Sequence, residues 1–174
     1  MTRSAGERSA SNGGVRYPTG LIVGRFDPPH LGHSHMIEWA AARTDRLVVY
    51  VNSSFARDTV PGELRATWLA EAHPDVEIRV VRHRLATDWN DEELWARWIA
   101  LFRDHWPHEV GPHAVFSSDD YVSGIADRLD AEPVTVDPDR AAVPISATEI
   151  RTAPEVHLDK VTPPVRQWIE SNWL

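Results

Sequence analysis

Cysteine is missing from this 174-residue chain, and lysine occurs only once, as Lys160. The absence of cysteine excludes disulfide bonds, thiolate metal ligands and a cysteine nucleophile. Long apolar runs are also missing. The longest have only five residues, as at 47–51, and fall far short of the roughly 18 residues that a membrane helix needs. We therefore expect a soluble, cytoplasmic protein with no membrane partner.

Basic residues are in the minority, because 18 Lys and Arg stand against 26 Asp and Glu and give a formal net charge of −8. Such a surface repels nucleic acid, which we do not expect as a partner. An anionic ligand must then be held by a local site. We expect residues 1–17, rich in Ser, Gly and Arg, to form a disordered tail and residues 18–174 to form a single domain. Assembly into a homo-oligomer is an open alternative to a monomer.

Short apolar runs alternate with amphipathic stretches after the predicted tail. The predicted strands are 20–24, 46–52, 76–82, 114–116 and 133–136. The predicted helices are 31–43, 62–72, 90–105 and 163–173, with one more between the fourth and fifth strands. Strands that are apolar on both faces and alternate with helices are typical of a covered parallel sheet. We predict an α/β fold, a doubly wound parallel sheet of about five strands with helices on both faces.

The loop after the first predicted strand ends in H-x-G-H, with His30 and His33 at the start of a helix. Ligands of open α/β sheets bind beyond the carboxyl ends of the strands, which makes this loop the first candidate site. The helix N-terminus offers a positive dipole end and free N–H groups, and Gly32 lets a ligand approach the backbone. The pattern predicts a polyphosphate site. Zinc is disfavoured because no third ligand is evident nearby.

A second candidate segment, P-I-S-A-T-E-I-R, covers residues 144–151 and has two compatible interpretations. Ser146 and Glu149 have the S-x-x-E spacing of a capping box for a short helix that ends before Pro154. A helix N-terminus with two hydroxyls, followed one turn later by Arg151, also forms a phosphate cradle.

The H-x-G-H after the first strand and the I-S-x-T-x-x-R after the fifth together resemble the paired signatures of the HIGH-type nucleotidyltransferases, across residues 19–174. That superfamily includes nicotinamide mononucleotide (NMN) and pantetheine-phosphate adenylyltransferases and small cytidylyltransferases. Segments 88–90, 115–118 and 136–140 are most similar to the NMN adenylyltransferase domain of bifunctional NAD-biosynthesis and regulator proteins. The resemblance implies a Rossmann-like fold.

Two positions depart from the pattern of that group. Ala147 stands where the family has glycine, and residues 119–122 read D-D-Y-V where the group tends to have E-P-Y-G. Both departures fall in the region expected to hold the nucleotide. They therefore bear on the choice of substrate more than on the reaction.

The resemblance implies adenylyl transfer from ATP to the 5′-phosphate of NMN, giving NAD and pyrophosphate. Mg²⁺ would be bridged by phosphates and held by no side chain. The catalytic residues implied are His30, His33 and Arg151. Those implied for ATP binding are Gly24, Phe26, Gly32, Ser117, Asp119, Ile145, Ser146 and Thr148. Those implied for acceptor binding are Arg25, Asp27 and Trp89. Two alternatives remain: CTP or another phosphorylated or phosphonylated acceptor as substrate, and a non-catalytic nucleotide sensor.

Several of these residues keep a second interpretation. Arg25 also fits a surface charge, and Asp27 fits an ordinary Asp-Pro-Pro turn. Trp89 fits either ring stacking or simple packing, and Asp119 fits either ligand contact or an N-cap. Trp95 and Trp98 are expected to pack in the core. Arg57 and Arg65 could reach a phosphate from the side of the second strand, although solvated surface charges are the favoured interpretation.

Overall fold

The computed structural model describes residues 14–174, so most of the predicted tail lies outside the described residues. Five parallel strands form one sheet in the order β3-β2-β1-β4-β5. They are β1 (Tyr17–Gly24), β2 (Thr44–Ser53), β3 (Glu77–Arg82), β4 (Ala114–Ser117) and β5 (Glu132–Thr135). The predicted doubly wound parallel sheet is confirmed.

Six α-helices connect and cover the strands in the described part of the chain. They are α1 (Leu31–Ala41), α2 (Gly62–Ala72), α3 (Glu92–His105), α4 (Val122–Arg128), α5 (Ala147–Thr152) and α6 (Pro163–Asn172). Two short 3₁₀ turns, Pro154–Val156 and Leu158–Lys160, separate α5 from α6. No helix within residues 14–174 has the length and apolar character that crossing a bilayer requires.

Successive residues of β1 face opposite sides of the sheet, as the two-residue period of a strand requires. Leu21 and Val23 pack in the cluster that holds α3 and α4, whereas Ile22 packs in the cluster that holds α1 and α2. A third apolar cluster joins α2, α5 and α6 around Ile150 and Ile169. This last cluster fixes the segment that carries the second sequence signature.

The first strand begins earlier than predicted. Tyr17, the last residue assigned to the tail, pairs with Thr44 and donates its backbone N–H to the Arg43 carbonyl at 2.8 Å. Arg16 donates to the carbonyl oxygens of Ala42 and Thr44. These contacts lie 26 or more residues apart in sequence, so local composition did not reveal them.

Candidate functional site

The carboxyl ends of β1 and β4 lie side by side where the strand order reverses, the usual place for a ligand in such sheets. A cavity of about 250 Å³ opens there, which we call the β1–β4 pocket. Every predicted site residue except Trp89 lines it. The structure therefore brings together two signatures that are more than a hundred residues apart in the chain.

His30 is the N-cap of α1 and forms a reciprocal pair with His33. The Nδ1 of His30 accepts from the backbone N–H of His33 at 3.2 Å, and the Nδ1 of His33 accepts from the backbone N–H of His30 at 3.1 Å. The two rings stack with centroids 3.6 Å apart. This is a capping box in which imidazoles replace the usual Ser and Glu, and sequence rules built on those residues did not predict it.

These bonds set the protonation of both rings. Because each Nδ1 accepts, the ring proton must sit on Nε2. Burial and the nearby Arg140 lower the pKa of His30 to about 3. Burial, His30 and Arg140 lower the pKa of His33 well below 6.5. Both imidazoles are therefore neutral Nε2–H donors at physiological pH.

The Nε2 of His30 is buried and has no hydrogen-bond partner among the described residues. A buried donor left unpaired costs about 1–3 kcal/mol, which an incoming ligand oxygen would recover. Gly32 permits this ring position, because a Cβ there would lie 2.9 Å from the His30 ring. The glycine thus makes room for His30 as well as for a ligand.

Ser146 caps α5, as predicted. Its Oγ accepts from the backbone N–H of Glu149 at 3.2 Å and donates to the Glu149 carboxylate at 3.0 Å. Arg151, one turn further on, donates to the Asp27 carbonyl at 2.6 Å and to the Thr148 hydroxyl at 3.2 Å. Arg151 therefore joins the second signature to the loop that carries the first.

The Asp27 carboxylate is bound by a neighbouring loop. Although it lines the β1–β4 pocket, its side chain is only 1% exposed. The carboxylate accepts from the backbone N–H and hydroxyl of Thr59 at 2.9 and 2.7 Å, and from the backbone N–H of Val60 at 2.9 Å. These donors, which lie 32 and 33 residues away in the chain, leave the carboxylate engaged with the β2–α2 loop. The Asp27 carboxylate therefore holds that loop, and its direct contact with an acceptor stays a prediction.

Two arginines differ from the sequence interpretation. Arg65, expected to be a solvated surface charge, is fully buried. Arg140, which ends segment 136–140 but has no predicted role, lines the β1–β4 pocket with its Nη2 3.6 Å from the Asp119 carboxylate. The N-cap alternative for Asp119 is wrong, because Tyr121 occupies that position of α4. Only proximity in the fold reveals these roles, since the partners lie on different loops.

Trp89 lines a second cavity of about 200 Å³, which we call the aromatic pocket. Its ring stacks on Tyr121 at 5.5 Å and 8°, and half of its surface is exposed. Trp95 is buried against it, as predicted, and donates from Nε1 to the Trp89 carbonyl. Arg25 lines both cavities and marks their junction. The site is therefore bipartite, with a polar half and an aromatic half.

The polar half brings three arginines together with three carboxylates, Asp27, Asp119 and Asp137. Arg25, Arg140 and Arg151 all line the β1–β4 pocket. Burial lowers the pKa of Arg25, and the positive charges of Arg57 and Arg151 add to that effect while Asp27 opposes it. Cations held this close together fit an anionic ligand. Among residues 14–174, no three His, Asp or Glu side chains are grouped so that they could hold a metal ion.

Residues 21–153 match the family model described as cytidylyltransferase-like. Because this match spans most of its length, the chain belongs to the cytidylyltransferase-like family. The resemblance to nucleotidyltransferases inferred from the two signatures is thereby confirmed.

Two curated relatives are similar over part of their length. The nicotinamide-nucleotide adenylyltransferase of Saccharolobus solfataricus is 45% identical over 89 residues, which cover 48% of this chain and 52% of that protein. The trifunctional NAD biosynthesis/regulator protein NadR of Escherichia coli is 25% identical over 153 residues, 78% of this chain and 36% of that protein. The chain thus spans about half of one relative and a third of the other.

Solved structures support the fold. NadR protein in complex with NAD and AMP-PNP superposes with a TM-score of 0.61 at 20% identity, covering 83% of this chain and 44% of that one. A bifunctional NMN adenylyltransferase/ADP ribose pyrophosphatase from Francisella tularensis, complexed with AMP and a manganese ion, gives a TM-score of 0.57 at 19% identity, covering 78% and 41%.

Proposed function

We propose that this protein is an adenylyltransferase that joins ATP to NMN and releases NAD and pyrophosphate. One observation carries the proposal: the two nucleotidyltransferase signatures meet in a pocket lined by three arginines, and this pocket continues into an aromatic one. The names of the curated relatives support the same reaction. Substrates and activity are inferred for the chain because it spans only part of those proteins.

The polar half would bind ATP. The Nε2–H groups of His30 and His33 would donate to the phosphates, and Ser146, Thr148 and Arg151 would hold the triphosphate. The acceptor phosphate loses its second proton near pH 6 and is largely dianionic at pH 7. A general base is therefore unnecessary. Catalysis rests on alignment and on stabilising charge at the transferring phosphoryl group.

The aromatic half would bind the acceptor. Trp89 presents a half-exposed ring on which a nicotinamide could stack. Asn52 lines the same pocket and has a buried Oδ1 with no partner among the described residues. That oxygen would accept from the carboxamide N–H of nicotinamide. Arg25, at the junction, would contact the phosphate of NMN.

Mg²⁺ would enter with the nucleotide. The pocket carboxylates do not offer a resident site, because each is already engaged. Asp27 is held by the β2–α2 loop, Asp119 faces Arg140, and Asp137 accepts from two backbone N–H groups of the residues that follow it. This donor set fits an ion held mainly by phosphate oxygens, the usual arrangement for Mg²⁺ in nucleotide sites. When bound, the ion would neutralise charge on the pyrophosphate leaving group.

A substrate panel tests the proposal. Purified protein with Mg²⁺ is mixed with ATP, CTP or GTP, and each nucleotide is paired with NMN, nicotinic acid mononucleotide or a simple sugar phosphate. We expect pyrophosphate release with ATP and NMN to exceed that with every other pair. Activity confined to CTP or to a non-nicotinamide acceptor would contradict the assigned substrates and keep the reaction class. Binding of ATP without turnover for any pair would favour a sensor.

A further inference from the structure

Arg65 on α2 is the largest fully buried side chain in the described chain. A guanidinium keeps its charge in proteins, so burying it is costly unless its N–H groups find partners. Its Nε donates to the Val60 carbonyl at 2.9 Å. Its Nη1 donates to the carbonyls of Asn52, at 3.1 Å, and of Arg25. Its Nη2 lies 2.7 Å from the Asp58 carboxylate.

Two of the three carbonyl oxygens that Arg65 binds belong to residues that line the proposed site. Arg25 lines both pockets, and Asn52 lines the aromatic pocket. One planar group therefore fixes the main chain after β1 relative to the main chain at the end of β2. The place that it fixes is where the two pockets join.

Two carboxylates complete what we call the Arg65 network, defined as Arg65, Asp58 and Asp27. Asp58 accepts from the Ser53 hydroxyl at 2.6 Å and the Ser54 backbone N–H at 3.0 Å. Asp27 binds the same loop from the β1 side, and its Oδ1 lies 4.0 Å from the Nε of Arg65. The network spans the β1–α1 and β2–α2 loops and is almost closed to solvent.

Stability alone does not account for this network. Apolar residues of similar volume often serve as well as a buried ion pair. They cannot, however, hold carbonyl oxygens of the β1–α1 loop, the end of β2 and the β2–α2 loop in fixed positions. We propose that Arg65 is a positioning residue that sets Arg25 at the junction, so that the acceptor phosphate is aligned with the α-phosphate of ATP. This inference rests on the proposed function. Alignment is decisive in such reactions, since a displacement of about 1 Å can cost about 100-fold in rate.

The test is Arg65→Lys, which keeps the charge and loses the planar set of donors. We expect kcat at saturating substrates to fall about 30- to 100-fold. The Kd for ATP should change less than about 3-fold, because α1 and α5 carry the proposed phosphate contacts and Arg151 reaches the network only through the main-chain carbonyl of Asp27. One control accompanies it: Arg166→Lys on the exposed face of α6, which should keep the wild-type kcat. A folded Arg65→Lys protein with the wild-type kcat and a lower Tm would overturn the proposal.

Thr59→Val provides a milder perturbation if Arg65→Lys does not fold. It removes the hydroxyl that donates to Asp27 at 2.7 Å. Losing one such bond predicts a fall in kcat of about 3- to 10-fold. An unchanged kcat in this variant would overturn the proposal.

Ligand binding separates this inference from the proposed function. Wild-type protein that binds ATP and NMN but forms no NAD would contradict the function alone. In that case the network is tested by calorimetric titration of NMN into the folded Arg65→Lys variant. If that variant does not fold, Thr59→Val is titrated in its place. Arg65→Lys should lose about 10-fold or more in NMN affinity, the scale of a charged hydrogen bond, and Thr59→Val correspondingly less. Nicotinamide riboside, which lacks the phosphate, should bind as before. Equal losses for both ligands, or no binding of NMN by the wild type, would overturn the positioning role.

Discussion

Acidic pH should destabilise the folded protein because His30 is neutral in the native state. A substitution at His30 should remove this contribution. The native pKa of His30 is lowered from 6.5 to about 3, chiefly by burial. At pH 5 the unfolded chain therefore binds a proton at this position and the native protein does not. The free energy of unfolding should fall by about 2 kcal/mol between pH 8 and pH 5 on account of His30 alone.

The direction follows from the depressed native pKa. Stability from the neutral imidazole is complete above the unfolded pKa of 6.5, is lost as the pH falls below it, and stops declining near the native pKa of about 3. The pKa of His33 is shifted the same way, so its contribution adds. The pKa values of His73 and His83 are also lowered, so both residues contribute to the pH dependence of stability that the wild type and a His30 variant share.

The comparison that isolates His30 is His30→Asn. Asparagine is a good N-cap, can accept the His33 N–H and does not titrate. Urea denaturation followed by tryptophan fluorescence at pH 5 and pH 8 gives the two free energies for each protein. Wild type should lose about 2 kcal/mol more than the variant. Equal losses in the two proteins would refute the neutral, buried His30 on which the donor assignment depends.

Three further predictions concern individual side chains. His33→Ala should lower kcat about 100- to 1000-fold, measured by pyrophosphate release, and an unchanged kcat in the folded variant would rule out its role as a phosphate donor. Trp89→Ala should raise the KM for NMN about 10-fold and leave the KM for ATP unchanged. The control variant Trp173→Ala should change neither KM. If Trp89→Ala changed both KM values equally, ring stacking on nicotinamide would be contradicted. Ser146→Ala should cost about 1 kcal/mol in urea denaturation and raise the KM for ATP, and a wild-type KM would limit Ser146 to capping.

Local patterns accounted for most of the fold. Helix α2 occupies the predicted residues 62–72, because Pro61 opens it and the chain turns at His73 before a proline. The apolar runs of β2 and β4 were equally clear. Strand β1 was predicted too short, since its first residues owe their place to pairing with β2 and not to their own composition.

The site was predictable where its chemistry is carried by local motifs and not where it depends on distant partners. The H-x-G-H and S-x-T-x-x-R motifs each supply residues that line the β1–β4 pocket. The burial of Asp27 depends on Thr59, and the pairing of Arg140 depends on Asp119, 21 residues earlier. Sequence periodicity carries no information about such contacts. The substrates remain a prediction, because residue types alone do not fix the shape of the aromatic pocket.

Direct detection of the product tests the central claim. Protein, Mg²⁺, ATP and NMN are incubated, and NAD and pyrophosphate are quantified by mass spectrometry and by a coupled assay, with His33→Ala in parallel. The account predicts NAD and pyrophosphate in equal amounts from the wild type and at least about 100-fold slower formation by the folded variant. Absence of NAD, or equal rates for the two proteins, would contradict adenylyl transfer at this site.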